Sequence, residues 1–218
     1  MTRELQFGVK EAASGKARSL VVFLHGYGAD GADLLGLADP LAPHLPDTRF
    51  VAPDAPEACA GSPMGRQWFP IPWIDGSSEA AAAEGLARAT IDLNAFLDQQ
   101  LAATGLGPER LAIVGFSQGT MMALHVAPRR AQPIAGIVAF SGRLLQREAL
   151  AAEAISKPPV LLIHGDADEV VPFADMGLAG RALTDAGFET YGHVSKGTGH
   201  GIAPDGLSVA LQFLKGRL

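Results

Sequence analysis

The chain has 218 residues, 48% of them hydrophobic, with a formal net charge of −6 and a pI near 5.5. That length fits one domain over residues 1–218 with a sizeable core, and no run of about 18 apolar residues offers a membrane span. The acidic balance and the scattering of the 17 Lys and Arg residues exclude the basic face that a nucleic-acid backbone needs.

Residues 1–6 carry an early acid and no apolar stretch, so they do not read as a signal peptide. Cys59 is the sole cysteine, so no internal disulfide forms, which suits a reducing compartment. A cytoplasmic protein without stable membrane insertion is expected.

Residues 19–24, Ser-Leu-Val-Val-Phe-Leu, form a continuous apolar run that reads as a central strand covered on both faces. It ends at His25-Gly26 and a glycine-rich loop, which no Gly-Lys-Ser/Thr follows, so it is not a phosphate loop. Residues 33–41 read as a helix and 49–52 as a second strand. From Pro53 to Ile74 the chain is rich in proline and glycine and holds both tryptophans, Trp68 and Trp73. It reads as a long irregular excursion, ordered by its aromatics.

Ser77 or Ser78 caps a long helix whose buried stripe is Leu86, Thr90, Leu93, Leu97 and Leu101. Gly105 and Gly107-Pro108 end it. Residues 134–140 read as a strand, 143–157 as a partly polar helix, and 160–163 as a strand running into His164-Gly165-Asp166-Ala167-Asp168. A helix over 173–186, a weaker strand over 189–194, a glycine-rich loop over 197–201 and a helix from Asp205 complete the chain. Strands alternate with helices about six times, which is the pattern of a mostly parallel sheet with helices on both faces. The loops at 25–31, 53–74, 115–119, 141–142, 164–168 and 197–201 should then meet at one edge of the sheet, where sites gather in such folds.

The centre of the pattern is Leu111-Ala112-Ile113-Val114-Gly115-Phe116-Ser117-Gln118-Gly119. A buried strand enters a sharp turn, and a helix from Gln118, stopped by Pro128, leaves it. Gly115-x-Ser117-x-Gly119 is a nucleophile elbow, which lifts the Ser117 hydroxyl out of the sheet. Its glycines stand where a Cβ would meet neighbouring backbone.

A serine hydroxyl needs a base within hydrogen-bond reach and an acid to orient that base. In an α/β-hydrolase the chain order is Ser, acid, His. Asp166 and Asp168 are the acid candidates and spacing does not choose between them. His200, among glycines and late in the chain, is the base. His193 falls inside a strand and reads as structural or surface. His25 and His164 end strands and read as scaffold, and His44 and His125 as ordinary. None shows metal-ligand spacing, and no cofactor or metal is expected. Cys59 reads as an inert thiol. The tryptophans either pack the excursion down or, for Trp68, line the site. The oxyanion donors are the amide of Gln118, at the helix start, and that of Tyr27 in the glycine loop.

With those residues assembled, the chain resembles the phospholipase/carboxylesterase family. The motifs are Phe23-Leu24-His25-Gly26-Tyr27-Gly28-Ala29-Asp30, Pro53-Asp54-Ala55-Pro56, Gly65-Arg66-Gln67-Trp68-Phe69, Gly115-Phe116-Ser117-Gln118-Gly119, His164-Gly165-x-x-Asp168-x-x-Val171-Pro172 and Gly199-His200-Gly201-Ile202. The resemblance implies a minimal α/β-hydrolase without a large cap domain, a triad of Ser117, Asp168 and His200, an oxyanion hole from the Tyr27 and Gln118 amides, and Trp68 and Phe69 at the substrate. It selects Asp168 over Asp166. The family commonly has leucine where Tyr27 stands, and tyrosine there narrows the acyl pocket. Pro70 to Trp73 looks like an insertion relative to the shorter members.

The expected function is a serine carboxylesterase acting on small to medium acyl esters, with thioesters and lysophospholipids as alternatives. A dienelactone-type hydrolase would want cysteine in the elbow, and a non-catalytic binding protein would have lost a triad member. The expected partner is a small-molecule acyl ester, and a homodimer is left open.

Overall fold

Six parallel strands and one antiparallel edge strand make the sheet, in the spatial order Phe7–Lys10 (antiparallel), Thr48–Pro53, Ser19–Leu24, Leu111–Phe116, Gly136–Phe140, Val160–Gly165 and Thr190–Ser195. The structure is a computed structural model and describes residues 2–59 and 62–218. Met1, and Ala60 and Gly61 inside the excursion, lie outside the described residues.

The first half of the chain gives β1 (Phe7–Lys10), β2 (Ser19–Leu24), α1 (Gly31–Leu35), α2 (Ala38–Leu41), β3 (Thr48–Pro53), β4 (Glu57–Cys59), β5 (Ser62–Gln67), α3 (Pro72–Asp75) and α4 (Glu79–Thr104). The second gives β6 (Leu111–Phe116), α5 (Gln118–Val126), β7 (Gly136–Phe140), α6 (Leu150–Glu153), β8 (Val160–Gly165), α7 (Ala174–Asp185), β9 (Thr190–Ser195) and α8 (Pro204–Lys215).

The period of two along β2 splits the core into two layers. Leu20, Val22 and Leu24 pack with the apolar side chains of α4, α5 and α7, and Val21 and Phe23 with those of α1, α2 and α8. Both faces being covered, β2, β7 and β8 are buried throughout, as their unbroken apolar runs require. Ser78 caps α4 by accepting from the Ala81 amide at 3.1 Å, and Gly105 ends it with φ 68°. Leu86, Leu93, Leu97 and Leu101 form the buried stripe with Ala89 and Phe96, while Thr90 is only half-buried.

Several elements differ from the sequence reading, each for a local reason. The helix read over 33–41 is two short helices, α1 and α2, joined at Gly36-Leu37. Of the helix read over 143–157, only a 3-10 turn at Arg147–Ala149 and one turn of α6 form. Gln146 interrupts it with φ 49°, a conformation no helix tolerates. The excursion is not irregular throughout, since β4 and β5 pair as an antiparallel hairpin and α3 follows. The three residues of β4 are too few to show an alternation. Edge strand β1 has no counterpart in the sequence pattern, because four half-exposed residues carry almost no periodicity.

Candidate active site

The elbow puts Ser117 at φ 54° and ψ −114°, one of three non-glycine residues with positive φ among the described residues. That strain persists because the surroundings fix the turn. The Ser117 amide donates to Phe140 O at 2.9 Å, and Thr120 Oγ1 donates to Gly115 O and Phe140 O at 2.7 and 2.8 Å. A Cβ on Gly119 would lie 1.8 Å from Leu24 O, and one on Gly115 would lie 2.6 Å from the Gly119 carbonyl. Only glycine lets α5 leave the sheet this close to β2.

Three side chains from three loops, those of Ser117, His200 and Asp168, form one hydrogen-bonded chain. His200 Nε2 stands 3.0 Å from Ser117 Oγ, and His200 Nδ1 stands 2.8 Å from Asp168 Oδ2. Asp168 Oδ1 accepts the Val170 and Val171 amides, both at 2.9 Å. Burial pushes the Asp168 carboxyl up. The His200 hydrogen bond and the two amides outweigh that, and it settles below the ordinary value, so the side chain is a carboxylate. With Asp168 accepting, His200 Nδ1 carries the proton and Nε2 is free to accept from Ser117. The ring of Phe116 packs against His200 at 4.9 Å between centroids.

Asp166, the rival acid, points elsewhere. It is exposed, and its Oδ1 accepts the Gly197 amide, which anchors the loop that carries His200. His193 lies in β9 and pairs with Asp205 at 2.8 Å, remote from Ser117. His164 lies under the acid loop, with Nε2 donating to Val171 O at 2.9 Å.

The glycine loop is held against the elbow by His25. The Ala55 amide donates to His25 Nε2 at 2.9 Å, so that nitrogen bears no proton and Nδ1 donates to Gly26 O at 2.8 Å. Burial above all lowers the His25 pKa, in keeping with this neutral ring. Gly26 lies against the elbow, where an added Cβ would be 3.3 Å from Ser117 Cβ. Among the described residues the amides of Tyr27 and Gln118 donate to no backbone or side-chain acceptor. Gln118 directly follows the serine, and Tyr27 directly follows Gly26, the residue packed on the elbow.

Trp68 and Phe69 do not line an open cleft. They are 0% and 5% exposed. Trp68 Nε1 donates to His25 O at 3.0 Å, which makes this ring a prop beneath the glycine loop. The side chain of Gln118, missed as a functional group, grips the same segment: it accepts the Trp68 amide and donates to Phe69 O. Arg66 completes the brace, with Nε and Nη2 donating to the carbonyls of Ala55 and Pro56. The signal for Arg66 was its place in the Gly65-to-Phe69 motif. For Gln118, sequence held only the position after the serine.

Ser117 is 8% exposed and the His200 side chain 18%, so approach to the hydroxyl is narrow. A groove of about 670 Å³ lies between α7 and β9, lined by Phe173, Met176, Gly180 and Tyr191, with no triad member in its walls. Among the described residues no three His, Cys, Asp or Glu side chains converge in a metal-binding group.

Residues 8–218 match the family described as Phospholipase/Carboxylesterase. The chain is 31% identical to acyl-protein thioesterase 1 of Saccharomyces cerevisiae over 91% of its length and 92% of that protein's. It is 28% identical to esterase YpfH of Escherichia coli K12, covering 95% and 86%. The crystal structure of esterase PE8 superposes with a TM-score of 0.94 at 47% identity, covering 99% of this chain and 100% of that one.

Proposed function

The chain belongs to the phospholipase/carboxylesterase family, and on that premise we propose that it hydrolyses small to medium acyl esters through an acyl-enzyme on Ser117. It is a carboxylic ester hydrolase of the serine-esterase type with an α/β-hydrolase fold. One observation carries the assignment of residues: the unbroken chain of hydrogen bonds from Ser117 Oγ through His200 to Asp168, at 3.0 and 2.8 Å.

Ser117 Oγ attacks the acyl carbonyl as His200 Nε2 takes its proton. The carboxylate of Asp168 fixes the tautomer that leaves Nε2 unprotonated and balances the imidazolium that forms. The oxyanion is received by the Tyr27 and Gln118 amides, which need no reorganisation because His25, Trp68 and the Gln118 side chain already fix their segments. His200 then returns the proton to the departing alcohol, and water repeats the cycle on the acyl-enzyme. A thioester follows the same route with a thiol leaving, and the relative from S. cerevisiae is named an acyl-protein thioesterase. The restricted approach to Ser117 supports substrates with compact acyl groups.

We assign catalysis to a single domain over residues 1–218, and the sole, buried cysteine suits a reducing compartment such as the cytoplasm. No helix of the described residues is long and apolar enough to cross a membrane.

A fluorophosphonate probe tests the assignment. It should label the parent chain at Ser117, as read by peptide mass, and leave Ser117→Ala unlabelled. A folded parent chain that neither reacts with the probe nor cleaves p-nitrophenyl acetate would overturn it.

A further inference from the structure

Helix α3 presents two large apolar side chains to solvent: Trp73 is 59% exposed and Ile74 is 50% exposed. Such a short helix does not stand by itself, and what holds α3 lies at its two ends. At the C-terminal end, Asp75 accepts the Ile71 and Ser77 amides at 2.8 and 2.9 Å. It also lies near the Tyr27 hydroxyl of the glycine loop, which is buried without a hydrogen-bond partner among the described residues. On the other side, the Arg143 guanidinium lies over the Trp73 ring, 5.1 Å from its centroid.

Arg143 joins three loops of the sheet edge. It follows Gly142, which is pressed on the elbow so closely that a Cβ there would lie 2.8 Å from Ser117 O. Its Nε and Nη2 donate to Asp175 Oδ2 at 3.0 and 2.8 Å. Asp175 stands in the first turn of α7, directly beyond the segment that begins with Asp168. Val170 and Phe173 in that segment are 56% and 38% exposed, so the segment tied to Arg143 also carries apolar side chains in solvent. Asp175 neutralises the cation, which makes this arginine a tie between segments more than a receptor for an anion.

We propose that Trp73, Arg143 and Asp175 form a latch that holds α3 across the approach to Ser117 and limits the length of the acyl group that enters. The proposal rests on Ser117 being the nucleophile. Cation–π contacts and ion pairs at this exposure are individually weak, so the latch opens by thermal motion and acts on access to the site. Its loss is felt in KM for long esters before it is felt in the chemical step.

The test compares p-nitrophenyl acetate, butyrate, octanoate and laurate on the parent chain, Trp73→Ala, Arg143→Ala and Trp73→Phe. In both alanine variants the laurate-to-acetate ratio of kcat/KM should rise about fivefold or more, the equivalent of losing one weak contact, with the change in the laurate KM. Trp73→Phe keeps a ring face under the guanidinium and should stay near the parent ratio. The double alanine variant should gain little over either single one, because the two residues act as a unit. Should Arg143→Ala melt early, Asp175→Asn removes the anchor without changing shape and should move the ratio the same way. An unchanged or falling ratio in folded variants that still cleave acetate overturns the latch and leaves the esterase intact. A parent chain that cleaves none of the four esters takes down both.

Discussion

The side chain of Gln118 holds the backbone of Trp68: its Oε1 accepts the Trp68 amide at 2.9 Å, and its Nε2 donates to the next carbonyl, that of Phe69, at 2.7 Å. Both bonds are fully buried. In the proposed mechanism Gln118 serves the site twice, by its own amide at the start of α5 and by fixing the prop under the glycine loop. Gln118→Met keeps the shape and removes both bonds, leaving a buried amide and carbonyl unpaired. Each orphan costs about 1–3 kcal/mol. A melting temperature lower by several degrees together with a fall in kcat is expected, and an unchanged melt would show that the clamp does not matter.

Trp68 is a prop on the same argument. Trp68→Ala empties a fully buried site and should cost about 3–5 kcal/mol, which for a chain of this size lowers the melting temperature by about 10 °C. Trp68→Phe fills most of the volume but gives up the donor to His25 O, so it should melt closer to the parent while losing turnover. A change in chain-length preference with no change in melting would return Trp68 to the cleft.

The histidines can be told apart by rate. His200→Ala removes the ring within hydrogen-bond reach of Ser117 Oγ and should lower kcat by a factor of about 10⁴ or more. His193→Ala breaks a pair with Asp205 at the surface. Surface pairs contribute about 0–1 kcal/mol, so turnover should stay within about twofold of the parent. Steady-state kinetics on p-nitrophenyl acetate check both, and the reverse result would exchange their roles.

What the sequence disclosed follows from where its residues end up. Strands buried on both faces, such as 19–24 and 160–165, write themselves as unbroken apolar runs. The elbow is legible because its glycines are forced by a Cβ clash, and α4 because Ser78 and a leucine stripe mark its start and its face. Half-exposed edges leave no such trace, which hid β1 and the β4–β5 hairpin. Two acids two residues apart on one loop could not be separated by spacing either. Their difference lies in direction: Asp168 points at His200 and Asp166 at the Gly197 amide. The burial of Trp68 was equally hidden, since a tryptophan in an excursion reads the same whether it faces substrate or a backbone carbonyl.

His125 makes the fold sensitive to acid. It is buried in α5, its Nδ1 has no partner among the described residues, and burial together with Arg129 lowers its pKa to about 4. The native ring is therefore neutral, while the unfolded chain takes up its proton near pH 6.5. A lowered pKa gives stability that is complete above pH 6.5 and is drained as pH falls toward 4, in total by about 3 kcal/mol at 1.36 kcal/mol per pKa unit. His125→Leu cannot charge. The unfolding free energy from urea titrations should fall between pH 7 and pH 4.5 by about 2 kcal/mol more for the parent than for this variant. Parallel losses would mean that His125 ionises freely in the fold.

The last prediction separates Asp168 from Asp166 by the chemistry of an amide. Asp168 Oδ1 accepts two backbone amides and Oδ2 faces His200 Nδ1. In Asp168→Asn the oxygen must stay on the two amides, because the NH₂ group has nothing to offer them. The NH₂ then points at His200 Nδ1 and donates to it. That selects the tautomer with the proton on Nε2, which faces Ser117 Oγ and can no longer accept its proton. The fold loses little, since the Val170 and Val171 bonds remain, and kcat should fall by several orders of magnitude, in line with the roughly 10⁴-fold loss for the same change in a serine protease triad. Asp166→Asn keeps an oxygen for the Gly197 amide and should cost about 1 kcal/mol or less with most of the rate retained. Both variants are compared on one activated ester, with thermal melts alongside. An inactive Asp166→Asn beside an active Asp168→Asn would move the acid two residues back and break the hydrogen-bond chain on which the mechanism stands.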